Sequence, residues 1–393
     1  MNNLVYPKEK TLGTITLVLG LLVWLLLIIG TAGTALIGLA IGFIFYLFAH
    51  STLIAHIKGN GVELSEEQFP DLYKQFNECI DKLEIKNKPE VYILNGNGGL
   101  NAFATKFLGH QYVVLFSDVV DAMQQHDDGV KFYIGHELGH LRMNHIRGQF
   151  LRWPVLWLPL LGAAYSRARE STCDRHGLAC SSSPENAARA LAALSAGSER
   201  WQTLDIPAYL KQVMHSSGFW MSFHELNAGY PWLTKRVARV VDTECQIPKR
   251  NPFAYIPSIF VPYAGRLGGG FGLLITVYII GILASIAIPA YQDYIGRSTL
   301  SVAMIETEQA RNDLSNYYQS NDSIPDSLSS AHIKDTYSNG TTISMDPDTM
   351  TLHVKTPHGE LIFTPSQEND GRITWSCSGG EKTRKSKLPK ACQ

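Results

Sequence analysis

The chain has 393 residues, with 34 lysines and arginines against 35 aspartates and glutamates, so its net charge is −1. This balance leaves no basic excess for a nucleic-acid partner, and none is expected. The length predicts several folded units, and the apolar residues are concentrated in a few long stretches, which predicts a multi-domain membrane protein.

Two long apolar stretches open the chain, at residues 12–29 and 36–57, with a glycine- and threonine-rich turn at 30–34. Each has about the twenty residues that are needed to cross a bilayer. The first lacks a convincing cleavage site and the second follows almost at once, which favours a retained hairpin over a signal peptide. We assign this hairpin to residues 1–57, with the lipid bilayer as its partner.

A second domain is expected at residues 58–250. An apolar strand at 91–94 leads through a glycine-rich loop at 95–99 into a further segment. This segment contains Asn101, Ala102, Phe103 and Ala104. By itself it predicts no more than a strand after a loop.

The motif His136-Glu137-Leu138-Gly139-His140 is typical of a zinc site on a helix. Two histidines four positions apart differ by about 40° around a helix axis, so both imidazoles can reach one Zn²⁺. Glu137 projects beside the metal and can take a proton from the attacking water. The alternative is an ordinary helix with two surface histidines. His145 falls on roughly the opposite face, and we interpret it as a surface histidine.

A catalytic zinc takes three protein ligands, and the third is expected downstream. Glu170 and Asp174 are one helical turn apart, so Glu170 can bind the metal while Asp174 accepts the Nδ1–H of a ligand histidine. The alternative is a solvated polar face among neighbouring arginines. The apolar residues 153–164 cannot cross the membrane between the ligands, so we expect an interfacial segment with Trp153 and Trp157 at headgroup level, or a buried loop.

These motifs resemble the HtpX-type membrane zinc metallopeptidases, which are related to the CAAX prenyl proteases. The resemblance covers roughly residues 60–245. It implies a mainly α zincin (gluzincin) domain whose small sheet presents the segment from Asn101 to Ala104 as an edge strand, where an extended substrate can bind. The family's closing His-Pro and arginine pattern is altered here. His224, Tyr230 and Arg236 are therefore candidates to stabilise the oxyanion, and each is also interpretable as structural.

A third apolar stretch at residues 271–290 predicts a third transmembrane helix. The segment 279–294 resembles the N-terminal helix of type IV pilins. The assembly glutamate of pilins is replaced here by Gly272 or Ile275, depending on the alignment. We therefore expect a retained anchor, at 251–297 with its linker, that is neither processed nor polymerised.

Residues 298–393 are expected to form an α+β pilin-like domain. Its Trp375-Ser376-Cys377 segment and closing Leu388-Pro389-Lys390-Ala391-Cys392 resemble the pilin disulfide loop, which implies a Cys377–Cys392 bond. The other four cysteines fall before the third span, on the side expected to be reducing. Cationic flanks give the same topology, with the peptidase domain cytoplasmic and the pilin-like domain periplasmic. These flanks are Lys8, Lys10, Lys58, Lys249, Arg250 and Arg266.

Together these features predict a zinc metalloendopeptidase of the bacterial inner membrane that binds one Zn²⁺ and cleaves unfolded or membrane-associated polypeptides. A protein partner of the periplasmic pilin-like domain is a further expectation. One alternative is a non-catalytic chaperone or assembly factor of a pilus-related system. Another is a prenyl-protein processing enzyme, which the small number of spans disfavours.

Overall fold

The structure is a computed structural model that describes residues 4–146, 149–265, 268–337 and 339–393, so the predicted flank Arg266 lies outside the described residues. It divides the chain into two compact units, Met1–Val277 and Tyr278–Gln393. The helices of the first unit are α1 (Pro7–Gly30), α2 (Ala35–Asn60), α3 (Pro70–Lys82), α4 (Ser117–Ala122), α5 (Lys131–Arg142), α6 (Gln149–Leu156), α7 (Leu161–Cys180), α8 (Pro184–Arg200), α9 (Ile206–Lys211), α10 (Phe219–Asn227), α11 (Leu233–Val241) and α12 (Tyr255–Ser258). Its strands are β1 (Val62–Glu63), β2 (Glu90–Leu94), β3 (Ala102–Phe107) and β4 (His110–Phe116).

Three helical segments within the described ranges are long and apolar enough to cross a membrane: α1, α2 and Gly270–Asn321. Their apolar side chains largely face outward, and Leu26 and Phe48 are 69% and 71% exposed. Apolar surface on this scale is stable only against lipid or another protein. The three predicted membrane helices are thereby confirmed in length and composition.

The sheet of the first unit has the strand order β1-β2-β4-β3. The central strand β4 pairs in parallel with β2 and antiparallel with β3. It is apolar without alternation because both of its faces are covered. One face carries Val113 and Leu115 into the main core, and the other packs Tyr112 and Val114 with residues of α2. The strand β3 thus lies at a sheet edge, and the prediction of a mainly helical domain with a small sheet is confirmed.

The short helix α6 packs along α1, and its last residues, 153–156, begin the segment 153–164 that we expected to be interfacial or a buried loop. The indole Nε1 of Trp24 donates to the Phe150 carbonyl at 3.2 Å. A Cβ atom at Gly20 would collide with the carbonyl oxygen of Leu151, so this glycine permits the close approach. Trp24 lies 17 positions after Pro7 in α1. This contact favours a segment that dips beside the hairpin, while its depth in a bilayer stays a prediction.

The second unit begins within α13 (Gly268–Glu306) and continues with α14 (Glu308–Asn321). Its strands β5 (Thr342–Met345), β6 (Leu352–Thr356), β7 (Gly359–Gln367) and β8 (Ile373–Gly379) form an antiparallel sheet in sequence order. Leu300 and Leu314 of the helices pack with Val354 and Leu361 of the sheet. The predicted α+β pilin-like domain is confirmed, as is the disulfide between Cys377 and Cys392.

Candidate metal centre

The predicted metal ligands come from two closely packed helices, α5 and α7. Glycines on α5 make this approach possible, because a Cβ atom at Gly135 would lie 2.7 Å from the sulfur of Cys180. A Cβ atom at Gly139 would lie 3.1 Å from His176. Larger residues at either position would therefore push the helices apart and move the site apart with them.

The two histidines of the motif converge on the carboxyl group of Glu170. His136 Nε2 lies 3.3 Å from Glu170 Oε2, and His140 Nε2 lies 3.8 Å from Glu170 Oε1. Glu170 is 4% exposed, and its Oε2 has no hydrogen-bond partner in the described part of the chain despite the short distance to His136. A buried carboxylate oxygen without a donor is rare unless a cation completes the site. Two imidazoles and a carboxylate form a donor set that Zn²⁺ accepts.

The protonation of the three groups differs because their surroundings differ. Burial lowers the pKa of His140 to about 3, so its imidazole is neutral at pH 7. Burial also disfavours the charged form of His136, but the adjacent carboxylates of Asp174 and Glu170 raise its pKa to about 10. The adjacent histidines hold the pKa of Glu170 at about 2 against the effect of burial. A metal bound here would displace the His136 proton, since a ligand imidazole must be neutral.

Asp174 orients His136 and is itself held by Arg236. His136 Nδ1 lies 3.1 Å from Asp174 Oδ1. The guanidinium of Arg236 donates to both carboxylate oxygens, at 2.9 and 2.7 Å. Burial alone would raise the pKa of Asp174, but Arg236 and His136 hold it below its usual range. Asp174 is therefore an acceptor for the Nδ1–H that remains when Nε2 of His136 binds a metal.

Cys173 is a further donor that the sequence analysis missed. One donor atom each from His136, His140 and Cys173 lie within 4.8 Å of one another. Its sulfur also lies 3.7 Å from His145 Nδ1, which is the atom that contacts Nδ1 of His140. Burial raises the pKa of the thiol well above its usual range, and the nearby carboxylates act in the same direction. The sequence could have indicated Cys173 as a candidate ligand, because a residue three positions after Glu170 lies on the same face of the helix.

The prediction that His145 is a surface histidine is wrong. Its side chain is buried, its Nε2 lies 2.7 Å from Glu9 Oε1, and its Nδ1 lies 3.0 Å from His140 Nδ1. The helix α5 ends at Arg142, and Asn144 has a φ of 55°. This left-handed residue turns the chain back, so the helical projection used for His145 does not apply. Glu9, an acidic residue at the start of an apolar helix, indicated a buried polar contact but did not identify His145 as the partner.

The candidate site opens into a cavity of about 950 Å³. Glu137, His140 and Glu170 line it. Of the three oxyanion candidates, Tyr230 is among the lining residues. Arg236 is instead engaged by Asp174, and His224 is exposed on α10. The geometry therefore favours Tyr230 as the residue that can reach a bound substrate, and it argues against the other two.

The edge strand β3 borders the same cavity. Ala104 is a lining residue, whereas Phe103 packs against Phe116. Asn101 precedes the strand, and its side-chain oxygen accepts a hydrogen bond from the backbone N–H of Ala102 at 2.9 Å. The segment thus brings strand backbone to the cavity beside Glu137.

A paired-helix site of this kind, beside a sheet edge and joined to membrane helices, supports a membrane metalloprotease. Residues 66–159 match the model of peptidase family M48, and residues 296–393 match the model described as Pilin (bacterial filament). The chain thus joins a region that matches the M48 peptidase model to a C-terminal region that belongs to the pilin family.

The curated relatives match the pilin region. Fimbrial protein EcpC of Eikenella corrodens is 32% identical over 31% of this chain and 86% of its own length. Type IV major pilin protein PilE of Neisseria gonorrhoeae is 30% identical over 29% of this chain and 74% of its own. Among solved structures, Ste24p of S. mikatae matches with a TM-score of 0.35 and 16% identity. That match covers 58% of this chain and 63% of the Ste24p chain.

Proposed function

We propose that this protein is a membrane-anchored zinc metalloendopeptidase that hydrolyses unfolded or membrane-associated polypeptides. The observation that carries the proposal is the buried carboxyl of Glu170, which faces Nε2 of both His136 and His140 and has one oxygen without a hydrogen bond among the described residues. Glu137 and this carboxyl line one cavity. A purely structural cluster would have no reason to keep an unsatisfied carboxylate oxygen at the wall of a cavity.

In this proposal His136, His140 and Glu170 hold one Zn²⁺ per chain. Bound there, Zn²⁺ supplies Lewis-acid polarisation of the scissile carbonyl and lowers the pKa of water. Glu137 takes a proton from the attacking water and returns it to the leaving amine. The Tyr230 hydroxyl donates a hydrogen bond to the oxygen that becomes negatively charged.

The substrate is proposed to bind as an added strand along β3. This strand has one paired edge, towards β4, and its Ala104 borders the cavity that contains Glu137. Hydrogen bonds to a strand edge engage the substrate backbone and are therefore tolerant of its sequence. An extended, unfolded segment satisfies this requirement, whereas a folded domain does not.

The membrane origin of the substrate is supported by the apolar wall of the cavity. Val23, Trp24 and Leu27 of α1 are part of that wall. Val23 lies 16 positions after Pro7, which corresponds to about 24 Å along a helix and falls within a hydrocarbon layer of about 30 Å. A segment that leaves the bilayer could thus reach the site sideways. We place the peptidase domain on the cytoplasmic side of a bacterial inner membrane and the pilin-like domain in the periplasm.

Removal of the metal should abolish hydrolysis. We expect the protein, purified in detergent or nanodiscs, to contain one zinc per chain and to cleave unfolded casein. Treatment with a chelator should stop cleavage, and Zn²⁺ but not Mg²⁺ should restore it, because the donor set favours zinc. Cleavage by the metal-free protein would contradict the proposal. Zinc without cleavage would instead favour a binding role, which suppression of aggregation of an unfolded client would test.

The ligand set can be tested by substituting, one at a time, the two candidate ligands on α7, Glu170 and Cys173. Glu170→Gln should weaken zinc binding by more than roughly 10- to 100-fold, which is the loss expected for a residue that only hydrogen-bonds to a ligand. Cys173→Ala should retain stoichiometric zinc. Competition with a chromophoric chelator measures both. A thiolate charge-transfer band in the cobalt-substituted protein that disappears in Cys173→Ala would instead identify Cys173 as a ligand.

A further inference from the structure

Glu9 is a buried acidic residue in a helix that is otherwise apolar over most of its length. It is 6% exposed and lies in the first turn of α1, a candidate membrane span. A buried carboxyl group is costly unless it is bonded, and within a membrane helix it commonly marks a functional contact. The partner of Glu9 is not on α1. It belongs to the turn that follows the helix of the metal motif.

Two short contacts connect Glu9 to the metal ligand His140. Glu9 Oε1 lies 2.7 Å from His145 Nε2, and His145 Nδ1 lies 3.0 Å from His140 Nδ1. Glu9 and His145 are 6% and 4% exposed, so water does not compete effectively for these bonds. The backbone N–H of His145 also donates to the His140 carbonyl, at 3.0 Å, which fixes the turn that brings the rings together.

Metal binding by His140 determines the position of each proton in the series of hydrogen bonds from His140 through His145 to Glu9. When Nε2 of His140 binds the metal, the remaining ring proton is on Nδ1 and is donated to His145 Nδ1. His145 then accepts at Nδ1, so its own proton is on Nε2. That proton is donated to Glu9. Every bond therefore points in one direction, from the ligand ring to the carboxyl group on α1.

We propose that Glu9 is a positioning residue of the metal centre, which acts through His145 to fix the ring orientation of His140 and to increase its strength as a ligand. The first membrane helix thereby contributes to the affinity of the metal centre. This inference rests on the proposed function, because it requires His140 to bind a metal through Nε2.

The alternative role of Glu9 is a mechanical tie between α1 and the rest of the unit. Other contacts already hold α1 in place. The Tyr6 N–H donates to Thr172 Oγ1 at 3.0 Å, and the Arg152 side chain donates to the Gly13 carbonyl at 3.3 Å. The loss of Glu9 should therefore leave α1 docked, and an effect on the metal can be separated from an effect on folding.

The test measures zinc affinity and the visible spectrum of the cobalt-substituted full chain. We expect Glu9→Leu and His145→Leu each to weaken zinc binding by roughly 10- to 100-fold. The double variant should be little worse than either, because both changes interrupt one series of bonds. Glu9→Gln retains an acceptor oxygen and should fall in between. Thr172→Val removes a tie to the same end of α1 and should leave the affinity and the cobalt spectrum unchanged.

The inference is overturned if Glu9→Leu and Glu9→Gln both show the zinc affinity and cobalt spectrum of the parent protein, even if they lower the melting temperature. If Glu9→Leu does not accumulate, Glu9→Gln decides through the same two measurements. Absence of zinc from the parent protein would overturn this inference together with the proposed function. Zinc binding without hydrolysis would overturn the hydrolase proposal alone, and the affinities would still decide the role of Glu9.

Discussion

Glu137→Gln should retain one zinc per chain and lose cleavage of unfolded casein, with kcat reduced by roughly 10²- to 10⁴-fold. The amide has nearly the same shape as the carboxylate but cannot take a proton from water at neutral pH. Glu137 is adjacent to His136 in the sequence and lines the cavity together with Glu170. The change should therefore affect the proton transfer and leave the metal ligands in place.

The matched control is Glu67→Gln, an isosteric change at an exposed glutamate in the same unit. It should leave both zinc content and cleavage at the level of the parent protein. Full activity of Glu137→Gln would remove Glu137 from the role of general base. A loss of zinc in that variant would instead show that the residue supports the metal, and the kinetic result could then not be assigned to proton transfer.

Features set by local spacing were predictable from the sequence. The four-residue interval between His136 and His140 places both side chains on one face of a helix, and the same interval does so for Glu170 and Asp174. The membrane helices follow from length and apolarity alone. The Cys377–Cys392 bond was implied by resemblance to pilins, and the structure contains it.

Features that depend on a single backbone angle or on distant contacts were not predictable in this way. His145 was misassigned because the projection treated α5 as continuing past Arg142, whereas the left-handed Asn144 redirects the chain. The contact of His145 with Glu9 joins residues 136 positions apart, and no local pattern encodes it.

The role of Arg236 shows the same limit. Its position near the end of the domain suggested that it stabilises the oxyanion. In the structure, two nitrogens of its guanidinium instead donate hydrogen bonds to Asp174. Whether an arginine faces a substrate or a buried carboxylate depends on how α11 packs against α7. That packing involves residues about 60 positions apart, such as Asp174 and Arg236, and sequence spacing does not determine it.

Asp174→Ala is expected to be strongly destabilising, by about 3–5 kcal/mol in the free energy of unfolding, because it leaves a buried guanidinium without a partner. Asp174 and Arg236 are 5% and 8% exposed, and two hydrogen bonds join them. The same change removes the acceptor for His136 Nδ1, so zinc binding should weaken by roughly 10- to 100-fold. Denaturant unfolding of the detergent-solubilised protein and chelator competition measure the two effects.

A double-mutant cycle separates the ion pair from its two members. Arg236→Met alone should also destabilise the protein, since Asp174 then keeps only the His136 contact among the bonds described above. The double variant Asp174→Ala, Arg236→Met should lose clearly less than the sum of the single changes, because neither buried charge remains unpaired. Its zinc affinity should stay low, since the acceptor for His136 is still missing. Glu66→Ala, at an exposed acidic residue, provides the control. Additive single effects would show that Asp174 and Arg236 are not coupled in stability, which would contradict this prediction.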